Sequence, residues 1–374
     1  MLDKNKTIVF WGTYDKGKPR VRLLISGLKS QGINVVECHS DVWKGIEDKS
    51  QFKGFNNKLN KILAVAFAYP KLIVKYFNLP DHQTVVISYM GQLDVLIFWL
   101  INRIQKKKIV WDLFISLYDT VVVDRKMTKS KSVLARLLFF LEWLGVRAAT
   151  TVFMDTETHA EYIEDLYGIK NGKIKHVFVG AEIEKFYQPI KFKKIKKFTV
   201  LFYGQFIPLH GIDTIVHAAK ILEDKNEDIS WIMIGKGQEQ KRIDQLIIQL
   251  GIKSIKRISW IPYEKLIHYI HEVDVCLGVF NKDGKATRVI PNKVYQILSA
   301  GKPLITGDTP AIRELLEETD LIKFVEPGSS EKLTEAVLEI KERIDRNLVC
   351  QNGLNPIRIG PDFVGNQLLQ LLDN

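Results

Sequence analysis

Residues Asp283–Asp308 read DGKATRVIPNKVYQILSAGKPLITGD. The stretch runs loop, helix, strand in close succession. Pro291 suits the first turn of a helix, because its missing N–H would be unpaired there anyway. Val294, Ile297 and Leu298 then recur at helical spacing. Gly301 follows as a left-handed cap and Pro303 as a stop. Leu304–Thr306 opens a short apolar strand. The predicted helix N-terminus has Asn292 and Lys293 beside it. Orphan N–H groups and the helix dipole at such an end suit a phosphate. An ordinary loop–helix–strand unit shows the same pattern, so the rest of the chain must decide.

Working outward, the same alternation continues on both sides. Upstream lie an apolar strand at Phe198–Gly204, a helix at Gly211–Leu222, a strand at Ile229–Gly235 and a helix at Lys236–Gln249. A strand at Ile255–Ile261, a short helix at Pro262–Ile270 and a strand at Asp274–Val279 lead into the quoted stretch. Downstream, Ile322–Val325 continues the sheet. Ser329–Ile344 is amphipathic, with an N-cap serine and an acidic first turn.

The first half repeats this architecture without repeating the sequence. Thr7–Gly12 is a buried strand, Gly12–Arg22 a loop with Lys16, Lys18, Arg20 and Arg22, Val21–Ser30 a helix and Asn34–Cys38 a second strand. That is the opening of a parallel sheet, and its first loop lies where open α/β sheets bind ligands. Lys58–Leu79 is apolar but punctuated by Lys61, Lys71 and Lys75. It reads either as a basic amphipathic segment for an anionic membrane surface or as a helix packed on the sheet. Strands follow at Thr84–Ser88, Ile109–Asp112, Thr151–Met154 and Lys175–Val179. Helices fall at Gln92–Arg103, Lys131–Ala149 and, capped after Asp155, Thr156–Tyr167. Asp112 closes its strand at the ligand-facing rim. The expected fold is therefore α/β, two doubly wound Rossmann-like domains: 1–188, a basic, proline-containing linker at 189–197, 198–345, and a tail at 346–374 that can return to the first domain.

The 374 residues suffice for two domains, and 46% apolar and 26% charged residues are ordinary for a globular chain. Cys38, Cys276 and Cys350 are far apart and form no metal spacing, which suggests a reducing compartment. The N-terminus lacks the pattern of a signal peptide, and no long uncharged run predicts a membrane span. The net charge of +11 is uneven: residues 1–190 hold 28 Lys and Arg against 19 Asp and Glu. Such an excess suits nucleic acid, an acidic substrate or an anionic membrane. No nucleic-acid motif or base-stacking platform accompanies it, so nucleic acid is excluded as a partner.

Four features of the second half, in order, resemble the donor domain of the GT-B glycosyltransferases of group 1, glycosyltransferase family 4. They are FYGQFIPLHG at Phe202–Gly211, IGKG at Ile234–Gly237, the strand and short helix around Arg257–Tyr263, and NKVYQILSAGKPLI within the quoted stretch. Together they span about 150 residues by count of the chain. The first half resembles these enzymes only in topology and in its glycine-containing loop. The resemblance implies two domains facing across a cleft that closes by a hinge. It also implies transfer of a sugar, with retention and without a metal or cofactor, from a nucleoside diphosphate to a glycan or polyprenyl-linked anionic acceptor. Polysaccharide or glycolipid assembly in the cytoplasm, with peripheral contact at the inner face of the membrane, would follow.

Carried over by position, the donor residues are Gly204, Gln205, His210, Gly235, Gly237, Arg288, Pro291, Asn292, Lys293 and Gln296. Two departures stand out. The family's diphosphate-neutralising Arg and Lys correspond to Gln205 and His210, and its paired glutamates to Arg288 and Gln296. Arg288 and Lys293 are candidates to restore the missing charge, and the Gln296 amide to bond a ribose hydroxyl. Departure of the diphosphate calls for fixed positive charge and dipoles at its phosphates. His210 is a candidate there, and Asp112 a candidate at the acceptor hydroxyl. Gly12, Arg20 and Arg22 are candidates for the acceptor. Against this reading stand a non-catalytic GT-B subunit or sugar-nucleotide-binding protein and, further off, a sugar-nucleotide isomerase or epimerase. A nicotinamide enzyme is disfavoured by the lack of a full G-x-G-x-x-G turn with an acidic partner.

Overall fold

The computed structural model describes residues 6–43, 55–169, 172–186, 197–346 and 359–373. All of the expected linker except Lys197, Cys350 and the early part of the tail lie outside the described residues. The chain divides into two units. One is Met1–Gly180 with Gly360–Asn374, the other Ala181–Ile359.

In chain order the elements are β1 (Thr7–Gly12), α1 (Pro19–Ser30), β2 (Asn34–His39), α2 (Phe55–Phe77), β3 (Thr84–Ile87), α3 (Gln92–Gln105) and β4 (Lys108–Asp112). A π-helical turn at Asp119–Asp124 leads to α4 (Val133–Ala148), β5 (Thr151–Met154), α5 (Glu157–Tyr167) and β6 (Ile174–His176). The second unit holds α6 (Ile183–Phe186), β7 (Phe198–Tyr203), α7 (Ile212–Asp224), β8 (Ile229–Ile234), α8 (Gln240–Gln249), β9 (Ile255–Ile258), α9 (Tyr263–Glu272) and β10 (Val275–Leu277). It continues through α10 (Asn292–Ser299), β11 (Leu304–Gly307), α11 (Pro310–Leu315), β12 (Ile322–Val325) and α12 (Ser330–Asp345). Finally α13 (Pro361–Asp373) belongs to the first unit.

Each unit is built on a six-stranded parallel sheet, ordered β2-β1-β3-β4-β5-β6 in the first and β12-β11-β10-β7-β8-β9 in the second. Both are doubly wound α/β sheets, the fold class that the alternating pattern predicts. Side-chain alternation sorts the first sheet's residues between two layers. Ile8, Phe10, Val86, Val110 and Phe153 pack with α1 and α13. Val9, Trp11, Val85, Ile87, Trp111 and Val152 pack under α2, α3, α4 and α5.

Helices α1 and α13 meet through two glycines. A Cβ added to Gly365 would lie 2.1 Å from the Gly27 carbonyl oxygen, and one on Gly27 would lie 2.4 Å from that of Pro361. Only residues without a Cβ let the backbones approach this closely. The segment read two ways at Lys58–Leu79 is one helix, α2, with Pro70 inside it. Tyr69, Leu72 and Tyr76 face the core, and Lys71 and Lys75 face out.

Several boundaries differ from the sequence reading. Pro19 starts α1 two residues early, so Arg20 and Arg22 sit on the helix and not in the loop before it. Helix α8 begins at Gln240, after the Gly237 turn. The cap of α5 is Thr156, whose side chain accepts the His159 N–H, and not Asp155. The turn after β4 is held by a carboxylate from the largely apolar helix α4. Glu142 of α4 is buried, and it accepts from Ser116 Oγ (2.6 Å), Leu117 N (2.6 Å), Tyr167 Oη (2.7 Å) and Gln92 Nε2 (3.0 Å). So many donors satisfy a buried charge that would otherwise be costly.

Candidate functional site

The second unit gathers most of the sequence-predicted residues at the carboxyl ends of β7, β8 and β10, where the chain turns from strand to helix. That is the edge at which open parallel sheets bind ligands. Three backbone approaches build it, and each requires glycine. Gly204 follows β7 at φ +145°, Gly235 follows β8 at φ +144°, and a Cβ on Gly235 would fall 1.8 Å from the Gly204 carbonyl oxygen. A Cβ on Gly237 would lie 2.6 Å from the Phe206 oxygen. Gly211, at φ +58°, lets the loop after β7 touch the Phe280–Asn281 backbone after β10, where Phe280 N donates to His210 O (3.1 Å).

Two side chains converge over Gly204. A Cβ placed there would meet His210 Cε1 at 3.1 Å and Lys293 Nζ at 3.3 Å. The three positions are far apart in sequence and adjacent in space. His210 is buried, its Nδ1 is bonded to Gln205 O, and its ring stands edge-on to Phe202. Lys293, 5% exposed, places Nζ 3.9 Å over the Phe202 ring and 3.3 Å from Gly278 O. Burial pushes its ammonium well below the usual lysine range. Phe202 thus supports both groups, one through the ring face and one through its edge. Nothing in the local pattern signals that role, because Phe202 reads only as a core strand residue.

Lys293 lies in the first turn of α10. Pro291 is the residue before the helix, at φ −69° and ψ 149°, and no side chain caps that end. Asn292 is the first helical residue and half-buried. The N–H groups of Asn292 and Lys293 and the helix dipole make that end a place that favours an anion. Gln205 is exposed beside Gly204, and Arg288 lies half-buried after the short helical turn at Gly284–Thr287. That turn packs on the loop after β7 through Ala286, Leu209 and Val279.

Gln296 is placed differently from its expected role. Its Oε1 accepts from Tyr203 Oη (3.1 Å), its Nε2 donates to Tyr263 Oη (3.4 Å), and the residue is buried. Both ends of the amide are engaged inside the protein, so Gln296 locks α10 to β7 and α9. Arg257 acts as a second brace. It donates to Met233 O (2.8 Å), Gly235 O (3.2 Å) and Asp244 Oδ1 (2.8 Å) and stacks 4.2 Å over Phe206.

The residues assigned to the first unit come together in another way. Asp112 is fully buried, and Arg20, 1% exposed, grips it with two parallel bonds of 2.9 Å. Arg20 also donates to Val177 O (3.0 Å). These two residues fill the ends of β4 and β6 and are not surface groups awaiting an acceptor. Gly12, at φ +132°, is buried against Asp94. Asp94 accepts from Thr13 N (2.9 Å) and Tyr69 Oη (2.9 Å). Arg22 is half-buried and donates to Lys16 O (3.1 Å).

Residues 184–351, which contain the whole second-unit site, match the family model described as glycosyl transferases group 1. No curated protein matches the chain by sequence. Among solved structures the chain is similar to the Anabaena protein HepE in complex with UDP and glucose, at 14% identity and a TM-score of 0.67, covering 99% of this chain and 100% of that one. It is also similar to sucrose-phosphate synthase from Thermosynechococcus elongatus (15% identity, TM-score 0.65, covering 99% and 98%). The apo lipopolysaccharide outer core galactosyltransferase WaaB gives 12% identity and a TM-score of 0.60, covering 99% of both chains. Residues 184–351 thus match the group 1 glycosyl transferases, and the chain as a whole shares the two-domain GT-B fold of these solved structures.

Proposed function

We propose that this glycosyltransferase takes its sugar from a nucleoside diphosphate donor and passes it, with retention and without a metal, to an anionic glycan or lipid-linked acceptor. The observation that carries the donor reading is the meeting of Gly204, His210 and Lys293 at the uncapped start of α10. Loss of the diphosphate leaves negative charge on its phosphates. A lysine, a histidine and oriented N–H groups, already fixed by packing, stabilise that charge without reorganising. Gly204 lets a phosphate approach the backbone because no Cβ stands in the way.

The ligands named for HepE, UDP and UDP-glucose, are the first to try. Lys293 would carry the charge that the family's usual basic residues leave unfilled at Gln205. The acceptor reading rests on the charge excess of residues 1–190 and does not use Asp112 or Arg20, which neutralise each other. Polysaccharide or glycolipid assembly in the cytoplasm fits such an acceptor.

Titration calorimetry of the purified chain with UDP, UDP-glucose and other nucleotide sugars tests this reading, together with a mass-spectrometric assay for donor hydrolysis. One donor should bind and turn over slowly, and Lys293→Ala should weaken it tenfold or more, on the order of one charged hydrogen bond. A folded protein that binds no nucleotide sugar, or binds one equally well after Lys293→Ala, overturns it.

A further inference from the structure

The first unit exposes apolar side chains that its own fold leaves uncovered, and among the described residues all but Val123 and Met127 lie on one layer. Helices α2, α3 and α4 lie on the same side of the first sheet, since all three contribute to the core cluster with Trp11, Ile87 and Trp111. Their inner faces are buried. On the outer face of α2 stand Phe67, at 71% exposure, with Val74 and Phe77. On α3 they are Leu93, Leu100 and Ile104, the last at 77% exposure. On α4 Val133 reaches 83%, followed by Leu134, Leu137 and Phe140. The spacings 67–74, 93–100–104 and 133–137–140 each follow one helical stripe. Among the described residues, the second unit contributes only Ile248 and Trp260 to the exposed large apolar side chains. Scattered exposure is normal for any protein, but a concentration of this kind marks an interaction surface.

Charge identifies the occupant. Lys71 and Lys75 on α2, Arg103 on α3 and Arg136 on α4 are exposed beside the stripes, and Lys126, Lys129 and Lys131 lie in the approach to α4. None of the three helices exposes a carboxylate: α2 has none, and Asp94 and Glu142 are buried. A second copy of this chain would oppose cations to cations across the surface, which disfavours self-association. An anionic bilayer offers the complement to both features, because it accepts apolar side chains below its headgroups and lysine heads among them. No helix of the described residues is long and apolar enough to cross a membrane.

We propose that the outer layer formed by α2, α3 and α4 lies on an anionic lipid bilayer. The surface is separate from the donor site, and it rests on the proposed function only in giving a lipid-borne acceptor a reason to be met there. The attraction should depend on both stripe and charge, and salt should weaken it.

Flotation of the full chain with vesicles of phosphatidylcholine, with and without phosphatidylglycerol, is the test. The protein should float with the anionic vesicles at low salt and stay behind with the neutral ones. The variant Leu134→Ser/Leu137→Ser/Phe140→Ser should lose flotation. The variant Lys129→Glu/Lys131→Glu/Arg136→Glu should lose on the order of a hundredfold in apparent affinity, the sum of three surface cations. Both sets are exposed, so the circular dichroism spectrum and nucleotide-sugar binding should match the wild type. A wild-type chain that stays in solution with anionic vesicles overturns the inference, as does binding unchanged in both variants. A concentration-dependent dimer that the serine variant dissolves would show that a second copy, and not a bilayer, covers the layer. Nucleotide-sugar binding in the same samples separates failure of this inference from failure of the donor reading.

Discussion

Arg20 and Asp112 meet fork to fork inside the first unit, with Nε 2.9 Å from Oδ2 and Nη2 2.9 Å from Oδ1. Phe114 and Phe153 flank the guanidinium at 4.5 and 5.4 Å. Neither charge reaches water, so each depends on the other. Replacing Arg20 with Met would strand a buried carboxylate and should cost about 3–5 kcal/mol. Arg20→Met/Asp112→Leu should recover much of that loss, since a buried pair often contributes little beyond an apolar replacement. Urea unfolding of the single and double variants measures both. If Arg20→Met unfolds like the wild type, the pair is not structural and the earlier reading of Asp112 as a reactive group returns.

Lys293 makes a second prediction, about protons. Burial lowers its pKa in the free protein, and an arriving diphosphate would raise it by supplying a counter-charge. Binding should then take up about one proton at a pH between the two values. Affinity should be highest below the free-state pKa and fall as pH rises through the window. Calorimetry of UDP binding in buffers of different ionisation enthalpy reads the uptake directly, and Lys293→Met should abolish it.

The same lysine also predicts a trade between stability and binding. A basic group whose pKa is depressed on folding binds protons better when unfolded, so it destabilises the fold more as pH falls. Without nucleotide, Lys293→Met should melt higher than the wild type, and the gap should widen as pH falls below the ordinary lysine range. With saturating nucleotide the order should reverse. Thermal melts with and without ligand decide it.

Gly235 tests the backbone of the site. A Cβ there would collide with the Gly204 oxygen, and its φ of +144° is strained for any other residue. Gly235→Ala should therefore displace the Gly204 loop, lower the melting temperature and abolish measurable donor binding. Gly251→Ala is the control. It also has a positive φ, +65°, but nothing lies within 4 Å of its Cβ. It should cost about 1 kcal/mol and leave donor affinity unchanged. Equal effects at the two positions would mean that backbone strain, and not contact with Gly204, controls the site.

These cases show where the sequence was legible. Buried parallel strands are near-continuous apolar runs, so β1, β5, β7 and β8 could be placed almost to the residue. Pro291, one residue before α10, and the glycine turns carry strong local signals, so the backbone around Gly204 and α10 could be placed too. What spacing cannot give is the partner across the fold. Gln296 stands on the expected helix, but Tyr203 and Tyr263 claim its amide from other elements. Asp112 ends its strand as expected, but the distant Arg20 buries it. Both side chains follow the local rule, and tertiary contacts then assign them other work.

Asp94 carries the last prediction, because its titration falls within reach of ordinary experiments. It sits in the first turn of α3, 2% exposed, against Gly12 and beneath the Thr13 N–H. Burial pushes its carboxyl up from 3.8 to about 6, against the opposing pull of bonds from Thr13 and Tyr69. A folded pKa above the unfolded one means that the protonated acid favours folding. Its contribution is complete below the unfolded value and is lost as pH rises through about 6. The shift of roughly two units sets a ceiling near 3 kcal/mol on that loss. Asp94→Asn keeps the shape and does not ionise. Relative to the wild type, the variant should therefore gain stability between about pH 4 and about pH 7 and gain nothing further above that. Melting temperatures of both proteins across this range should diverge along a single-proton curve. A constant difference at every pH would mean that Asp94 does not change its ionisation on folding, and that Thr13 and Tyr69 hold a carboxylate with an ordinary pKa.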